Sequence, residues 1–524
     1  MSFCLQEDPS IDRMLVIGAG IAGLTTALDG AAQGARVTLL ERAPHPGGKM
    51  SSVEVGGRQI DCGPTVLTMA PVFMQIFKDA GLDIADFVTL RRADTLARHF
   101  WSGGATLDLH ADMQASVDAI GRFAGPADAR GFVAFSKQAR KALEFLRPTF
   151  LEAERPATPL HLLRRAGLLR LPGFLALDPY RSLAAMAREH FADPHLRQLF
   201  GRYTTYCGSS PYRAPATLAL IAEVERDGVW QVDGGMAAFA QAMLSACRHI
   251  GVEVRLDCEV ARIETQGSRA TGVRLSSGER IAADRIIHAG DRAALVAGLF
   301  GPDVARGRRL RAQERSLSAF TVAAVAHAQG ADLAHHNVFF SDDARAEFAS
   351  LHDGAMPSDP TVYLCAQDRP CGPDPADERV FLVLNAPANG DEHVFSEEER
   401  ERCMTRALNR LDRCGLRLTL HYPPSISTPS DFERRFPATG GALYGRVSHG
   451  WMASFLRPGA RTAIRGLYCA GGSVHPGAGV PMAALSGRIA ARASLRDRSS
   501  TWSFRRAATH GGTSTRSAQT AGIR

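Results

Sequence analysis

The sequence of 524 residues contains no run of 18 or more apolar residues, so no transmembrane helix is expected. Its N-terminal residues, MSFCLQEDPSIDR, include acids and no apolar stretch, and this excludes a secretory signal peptide. A mean hydropathy of -0.10 is ordinary for a soluble globular protein. The length exceeds what one hydrophobic core usually organises. We therefore expect a cytoplasmic protein with two or more lobes.

Lysine is scarce, and the basic residues are almost all arginines, which suits a GC-rich bacterial genome. The net charge is +7, but most of it lies near the C-terminus, where seven arginines and only one acid, Asp497, occur between Arg492 and Arg524. A nucleic-acid-binding protein carries its charge as a patch on the folded domain. We therefore predict no nucleic-acid partner, and a disordered basic tail over 497–524 because that stretch is rich in Ser, Thr and Gly.

The ten cysteines form no C-x-x-C pair and no zinc-type spacing with histidine pairs. The doublet His335–His336 has no ligand close to it in sequence. No metal site is therefore predicted, and the cysteines are expected to be reduced packing residues. Arrangements typical of Ser/His/Asp, Cys/His or paired-carboxylate catalysis are also missing, which points to chemistry carried by a cofactor.

A strand–turn–helix–strand pattern occupies residues 13–42. The turn contains Gly18, Gly20 and Gly23, which allow a sharp bend, close approach to a pyrophosphate, and tight packing of the helix on the strand. Glu41 ends the second strand, where a carboxylate can accept both ribose hydroxyls. The helix N-terminus favours the phosphate charge. This order of elements predicts a dinucleotide site.

Three further segments indicate a flavin dinucleotide. Gly47, Gly48 and Lys49 lie in a second glycine loop that can close over the pyrophosphate. Residues 466–487 predict a strand, a glycine-rich turn and a helix that starts near Val480 and can direct N–H groups at the flavin ring. The cofactor contacts predicted there are Gly471, Gly472, Gly477, Gly479, Val480 and Met482. The backbone at Val260 could reach the adenine.

These motifs resemble the carotenoid desaturases, FAD enzymes of the broad amine-oxidase class that are related to bacterial phytoene desaturase. The resemblance extends to about residue 496 and rests on the glycine unit, PGGK at 46–49, DCGPTVLT at 61–68 and AGGSVHPGAGVPMAALSG at 470–487. Other stretches are similar to the 1-hydroxycarotenoid 3,4-desaturases of purple photosynthetic bacteria, namely 97–101, 199–230, 334–340 and 361–370.

The resemblance implies an α/β fold in which a Rossmann-like FAD-binding domain of the amine-oxidase/phytoene-desaturase type is combined with a mixed α+β substrate lobe. The FAD domain would be discontinuous, with pieces at 10–75, 231–300 and 460–496. The substrate lobe, which would face the membrane, would comprise 76–230 and 301–459.

The implied reaction is the desaturation of an acyclic carotenoid with a hydroxyl or methoxyl group at C1, between C3 and C4, in carotenoid biosynthesis. Hydride transfer to flavin would leave a cation spread over the polyene, so orientation and dryness matter more than a strong base. His475 could accept the proton or hold its turn. Tyr203, Tyr206 and Trp230 could line the substrate tunnel or pack in the core. Either a quinone or dioxygen could be the electron acceptor.

A membrane surface is a further expected partner. Residues 160–177, LHLLRRAGLLRLPGFLAL, could lie in the lipid interface with their arginines at the headgroups, or form a buried helix and turn. The protein would then be peripheral on the cytoplasmic membrane.

Four alternatives remain open at this point: a phytoene or neurosporene desaturase, a flavin amine oxidase, a carotenoid isomerase, and a prenyl-binding protein of the GDP-dissociation-inhibitor type. The last of these is disfavoured because the 470–487 flavin segment is retained.

Overall fold

The structure, a computed structural model, describes residues 12–156, 158–167, 177–369 and 377–507. Its first layer is a parallel sheet of five strands. Every residue from Met14 to Ile17 in its central strand is buried, as expected for a parallel sheet covered on both faces. In spatial order the strands are Glu253–Arg255, Arg36–Leu40, Arg13–Ile17, Arg285–His288 and Leu467–Cys469.

The strands of this parallel sheet come from three distant parts of the chain. All of them fall within the three pieces predicted for the FAD domain, and the α/β expectation is confirmed. The limits of the domains stay a prediction.

Three helices cover one face of the parallel sheet, and two of them approach each other closely. A Cβ on Gly487 would lie 2.3 Å from the carbonyl oxygen of Ala22, so a glycine is needed where these helices cross. Thr26 Oγ1 donates to the carbonyls of Ala22 at 2.8 Å and Gly487 at 3.2 Å. The three helices are Ile21–Ala32, Gly235–His249 and Val480–Ala507.

The second layer is an eight-stranded sheet that belongs to the predicted substrate lobe. One face packs on the helix Glu397–Arg413 through an apolar cluster that contains Phe320, Leu364 and Leu411. The other face looks toward the parallel sheet. Seven strands follow one another in the order Leu416–Leu420, Ser318–Gly330, Glu378–Ala386, Val362–Ala366, His336–Phe339, Thr95–Phe100 and Thr106–His110, and Ser425–Ser427 pairs with Ser318–Gly330.

Smaller sheets and helices complete the fold. A three-stranded antiparallel sheet (Val260–Gln266, Arg269–Leu275 and Arg280–Ala282) covers the other face of the parallel sheet. The remaining strands are Ser52–Val55 with Arg58–Asp61, and Leu67–Thr68 and Leu90–Arg92 on either side of Val229–Val232. The remaining helices are Ala70–Asp79, Met113–Ala124, Pro126–Leu146, Pro159–Ala166, Leu183–His190, Pro194–Gly201, Leu220–Asp227, Arg292–Val296, Ala344–His352 and Pro429–Arg435.

The C-terminal helix extends past residue 497, where the disordered tail was predicted to begin, and the limits of the tail stay a prediction. The helix continues through 497–507, and Asp497 is fixed by Arg461 Nη2 and by the Tyr468 hydroxyl, each 2.9 Å from a carboxylate oxygen. Charge pairing with folded residues, which composition does not reveal, therefore places the first part of the predicted tail in a helix. The rest, 508–524, lies outside the described residues.

Within the described residues, none of the helices has both the length and the apolar character to cross a bilayer. Much of the segment 160–177 lies outside the described residues. Of its described side chains, Leu162 is buried and Leu160 is 60% exposed.

Candidate active site

A cavity of about 930 Å³ lies between the parallel sheet and the eight-stranded sheet. Almost all predicted cofactor residues meet there, although they come from segments more than 400 positions apart. Those that line the cavity are Gly18, Gly20, Glu41, Gly47, Gly48, Lys49, Val260, Gly471, Gly472, Gly477, Gly479, Val480 and Met482.

The first glycine turn has the close packing that the sequence predicted. Gly18 has a φ of +100°, a conformation that favours glycine. A Cβ on Gly23 would lie 1.9 Å from the carbonyl oxygen of Gly18, so Gly23 serves helix packing and does not line the cavity. The second glycine loop docks on this turn because the Gly47 N–H donates to the Ala19 carbonyl at 2.9 Å.

The Glu41 carboxylate faces this turn. Its Oε2 accepts the Ala19 N–H at 2.7 Å, and its Oε1 accepts the Ala43 N–H at 2.9 Å. Each carboxylate oxygen has a further lone pair that can accept another hydrogen bond. Glu41 can therefore hold the glycine turn and still bind ribose hydroxyls.

Lys49 connects the second glycine loop to the opposite wall. Its Nζ donates to the carbonyl of Leu443 and lies 5.2 Å from the ring centroid of Phe436. Burial lowers the pKa of this ammonium group. The side chain thus holds a loop of the cofactor site as well as lining it.

The C-terminal loop depends on an arginine that sequence reasoning missed. Arg457 Nη1 donates to the carbonyls of Tyr444 and Gly472, both at 3.0 Å, and its Nη2 donates to the carbonyl of Arg446 at 2.7 Å. Burial lowers the pKa of this guanidinium, which is 3% exposed. Nothing in the local sequence signals this role, because the three carbonyls lie 11 to 15 positions away.

These residues fit an FAD. Glycine backbones from both ends of the chain bound the cavity without side chains that would fill it. Glu41 lines the cavity where the ribose is expected. The N-terminus of the helix Val480–Ala507 faces the cavity through Val480, Pro481 and Met482. A helix N-terminus stabilises negative charge, as an anionic reduced flavin requires.

The other wall of the cavity is one face of the eight-stranded sheet. Neighbouring strands place Ala319 opposite Asn385, and Val383 opposite both Thr321 and Tyr363. All five line the cavity, together with Val338 and Phe381. This wall is largely apolar with a few hydroxyl and amide groups, as a site for an extended hydrocarbon requires.

The three aromatic residues predicted for the substrate tunnel lie in different surroundings, and their role in the tunnel stays a prediction. Tyr206 lines the cavity, but Tyr203 and Trp230 do not. Tyr203 is 1% exposed and donates its hydroxyl to Glu225 at 2.7 Å, and Tyr206 donates to the other oxygen of Glu225. Trp230 packs beside the core that lies under the parallel sheet. The buried Glu225 carboxylate, 19 to 22 positions away, therefore holds both tyrosine hydroxyls in place.

His475 points away from the cavity. Its Nε2–H donates to the carbonyls of Phe150 and Ala153, each at 2.9 Å, and its ring packs on Phe150 at 4.6 Å. Burial lowers its pKa to about 4. This placement favours the structural alternative, and the catalytic role stays a prediction.

The histidine doublet does have a neighbouring ligand group, contrary to the sequence expectation. Donor atoms of His335, His336 and Cys365 lie within 4.8 Å of one another, because His336 and Cys365 face each other on paired strands. Burial lowers the pKa of both imidazoles and raises that of the thiol. The eight described cysteines are free thiols.

Comparisons with known proteins agree with this geometry. The family described as flavin-containing amine oxidoreductase matches residues 21–495. A hydroxyneurosporene desaturase of Rubrivivax gelatinosus is 46% identical over 98% of both chains, and one of Cereibacter sphaeroides is 43% identical over 93% of this chain and 98% of its own. A putrescine oxidase structure has a TM-score of 0.56 at 15% identity, over 93% of this chain and 99% of that chain.

The structural neighbour supports the fold alone, whereas the two relatives match nearly the whole chain. The chain therefore belongs to the flavin-containing amine oxidoreductases and, among them, to the carotenoid desaturases, with FAD as its cofactor.

Proposed function

We propose that this enzyme desaturates an acyclic carotenoid that carries a hydroxyl or methoxyl group at C1, between C3 and C4. The observation that carries the proposal is the single cavity that joins the FAD-binding loops to the apolar face of the eight-stranded sheet. An elongated hydrocarbon placed on that face would lie against the cofactor site. The names of the two nearly full-length relatives support the same substrate class.

The sheet face would orient the polyene and keep water away from it. Bound FAD supplies a two-electron acceptor for the hydride that leaves the substrate. Val338, Phe381 and Val383 provide flat apolar contact, and their fixed positions on paired strands hold the reacting bond in one orientation.

A hydrogen-bonded chain leads from the cavity to a buried imidazole. The Tyr363 hydroxyl lies 2.6 Å from Thr65 Oγ1 and 2.7 Å from His336 Nδ1. Thr65 and Tyr363 line the cavity. Burial and the nearby Arg202 cation hold the pKa of His336 well below its usual range, so the imidazole is neutral and a weak base, which only a strongly acidic donor such as a polyene cation can protonate. A polyene cation loses its proton readily, and this chain is the acceptor we favour.

The mouth of the cavity would dock on the lipid bilayer that holds the substrate. Exposed apolar side chains surround it: Tyr180 is 78% exposed, Leu456 52% and Trp451 42%, and the rings of Tyr180 and Trp451 are 5.5 Å apart. Trp451 and Phe455 line the cavity itself. Such a rim lets a carotenoid pass from lipid into the protein without crossing water.

The proposal is tested with the purified yellow holoenzyme under anaerobic conditions. Adding 1-hydroxyneurosporene should bleach the flavin once and yield a product lighter by two hydrogens. Oxidation of phytoene or neurosporene but not of the hydroxylated substrate would favour the phytoene-desaturase alternative. A rearranged product of unchanged mass would favour an isomerase, and bleaching by amines an amine oxidase.

A further inference from the structure

A second, more polar cavity of about 460 Å³ lies beside the first. Four residues line both of them, and all four are polar: Arg202, Thr205, Thr361 and Asn385. We call this group the polar throat. The apolar substrate cavity thus ends at hydrogen-bonding side chains and not at a hydrocarbon wall.

Arg202 has hydrogen-bonding capacity that the protein leaves unused. Its Nε is buried without a hydrogen-bond partner among the described residues. The guanidinium lies over the rings of Tyr203 and Tyr206, with its central carbon 5.3 and 5.7 Å from their centroids. Both tyrosine hydroxyls donate to Glu225. The negative charge of this carboxylate attracts the Arg202 guanidinium and offsets its positive charge.

The hydroxyl groups of both threonines in the throat already donate their protons to other groups of the protein. Thr205 Oγ1 donates to the carbonyl of Arg202 at 2.8 Å, and Thr361 Oγ1 donates to Glu347 at 2.7 Å. Asn385 lies on the strand next to Thr361 and presents a carboxamide, which can both donate and accept. Arg202 and Asn385 are therefore the groups suited to a ligand oxygen.

We propose that Arg202 and Asn385 bind the C1 oxygen of the carotenoid end group and so select hydroxylated or methoxylated substrates over the plain hydrocarbon. Arg202 donates to the oxygen of either a hydroxyl or a methyl ether. Asn385 Oδ1 accepts the proton of a hydroxyl, which an ether lacks. The inference rests on the proposed function and names the residues that would set its specificity.

The chemistry of burial explains the selection. The Arg202 N–H groups that line the throat find no acceptor on an apolar ligand end, and that loss penalises the hydrocarbon. Sites that hydrogen-bond a substrate hydroxyl can reject the analogue without it by up to ~10⁴-fold. Tyr203 and Tyr206 cannot take this role because Glu225 already accepts their hydroxyl protons.

The test compares 1-hydroxyneurosporene, its methyl ether and neurosporene in single-turnover flavin reduction, and measures their binding by quenching of tryptophan fluorescence. Arg202→Met should weaken binding and reduction of both oxygenated substrates about 10- to 100-fold, and it should strengthen neurosporene binding because the N–H groups that penalise the hydrocarbon are gone. Asn385→Leu should affect the hydroxylated substrate more than the ether. Arg188→Met, at an exposed arginine that lines only the second cavity, is the matched control.

Two results would overturn the inference in different ways. In the first, wild type prefers the oxygenated substrates, and Arg202→Met and Asn385→Leu both keep that preference. The polar throat then does not bind the C1 oxygen, although the proposed function stands. If wild type reduces its flavin with none of the three carotenoids, the proposed function itself is wrong. Should Arg202→Met fail to fold, Arg202→Lys together with Asn385→Leu gives the same comparison.

Discussion

The Glu41 carboxylate accepts the backbone N–H of Ala19 at 2.7 Å, so the acid expected to bind ribose also closes the glycine turn. Replacing Glu41 by Ala should weaken FAD binding by about 1–3 kcal/mol, because the turn loses its acceptor and the ribose loses its partner. Glu41→Gln should weaken binding less. Titrating apoprotein with FAD measures the effect, with exposed Glu54→Ala as control. Equal affinity in wild type and Glu41→Ala would contradict this role.

Arg457 should be essential for the C-terminal loop of the cofactor site. Arg457→Met leaves three buried carbonyls without their donor, so we expect a loss of at least about 2 kcal/mol in unfolding free energy and weaker FAD binding. Thermal unfolding with and without added FAD measures both. Arg434→Met is the control, because Arg434 is an exposed arginine that forms an ion pair with Asp431. An unchanged melting temperature would show that water replaces the guanidinium.

Tyr363 should be needed for the proton step and not for substrate binding. Tyr363→Phe breaks the chain between Thr65 and His336. Because the cation can take its hydride back from the flavin until it loses its proton, net flavin reduction should slow about 10- to 100-fold with little change in substrate affinity. Rapid-mixing absorbance at the flavin band provides the rate. Tyr422→Phe, at an exposed tyrosine, should leave it unchanged. A normal rate in Tyr363→Phe would assign the proton to another acceptor.

Acid should destabilise the protein through its buried histidines. Burial lowers the pKa of His288, His335 and His475 to about 4, whereas in the unfolded chain each stays near 6.5. The unfolded state therefore binds more protons between these values. Stability is fully present above pH 6.5 and is lost as the pH falls toward 4, by on the order of 1–3 kcal/mol per histidine.

Urea unfolding at pH 7, 5.5 and 4.5 measures this loss. His475→Gln should reduce its pH slope by up to one proton, about 1.4 kcal/mol per pH unit. A slope identical to that of wild type would show that His475 titrates normally in the folded protein.

The rim of the cavity should carry membrane attachment. The double variant Trp451→Glu, Leu456→Glu places two charges among exposed apolar side chains and should reduce flotation with liposomes about tenfold or more. Val394→Glu changes a 73% exposed residue that does not line the cavity, and it should float like wild type. Equal flotation of all three proteins would exclude the rim as the docking surface.

The cofactor half of the site could be predicted from sequence because its determinants are local. Gly18, Gly20 and Gly23 act within one turn and one helix. Residues 466–487 likewise form a strand, a glycine-rich turn and the start of a helix. In both cases the residue spacing itself encodes the geometry.

The substrate half could not be predicted in this way. Arg202 and Asn385 of the throat are separated by more than 180 positions and meet only through sheet pairing and helix packing. Tyr203 and Trp230 share the aromatic character of tunnel residues, and sequence alone does not reveal that Tyr203 donates to Glu225 or that Trp230 packs beside the core. His475 likewise lies in a cofactor motif, although its ring binds carbonyls of a distant helix end.

The order of the parallel sheet has a consequence for synthesis. Leu467–Cys469, the strand at one edge, is translated about 180 residues after its partner strand Arg285–His288. Until that strand emerges, Arg285–His288 presents an open edge of a kind that invites association with other chains. Contacts between such distant segments also form slowly. The glycine turn is made long before 466–487 and has no closed cofactor pocket until that segment is translated. FAD therefore loads only after that point, and a nascent chain depends on protection of that edge in the meantime.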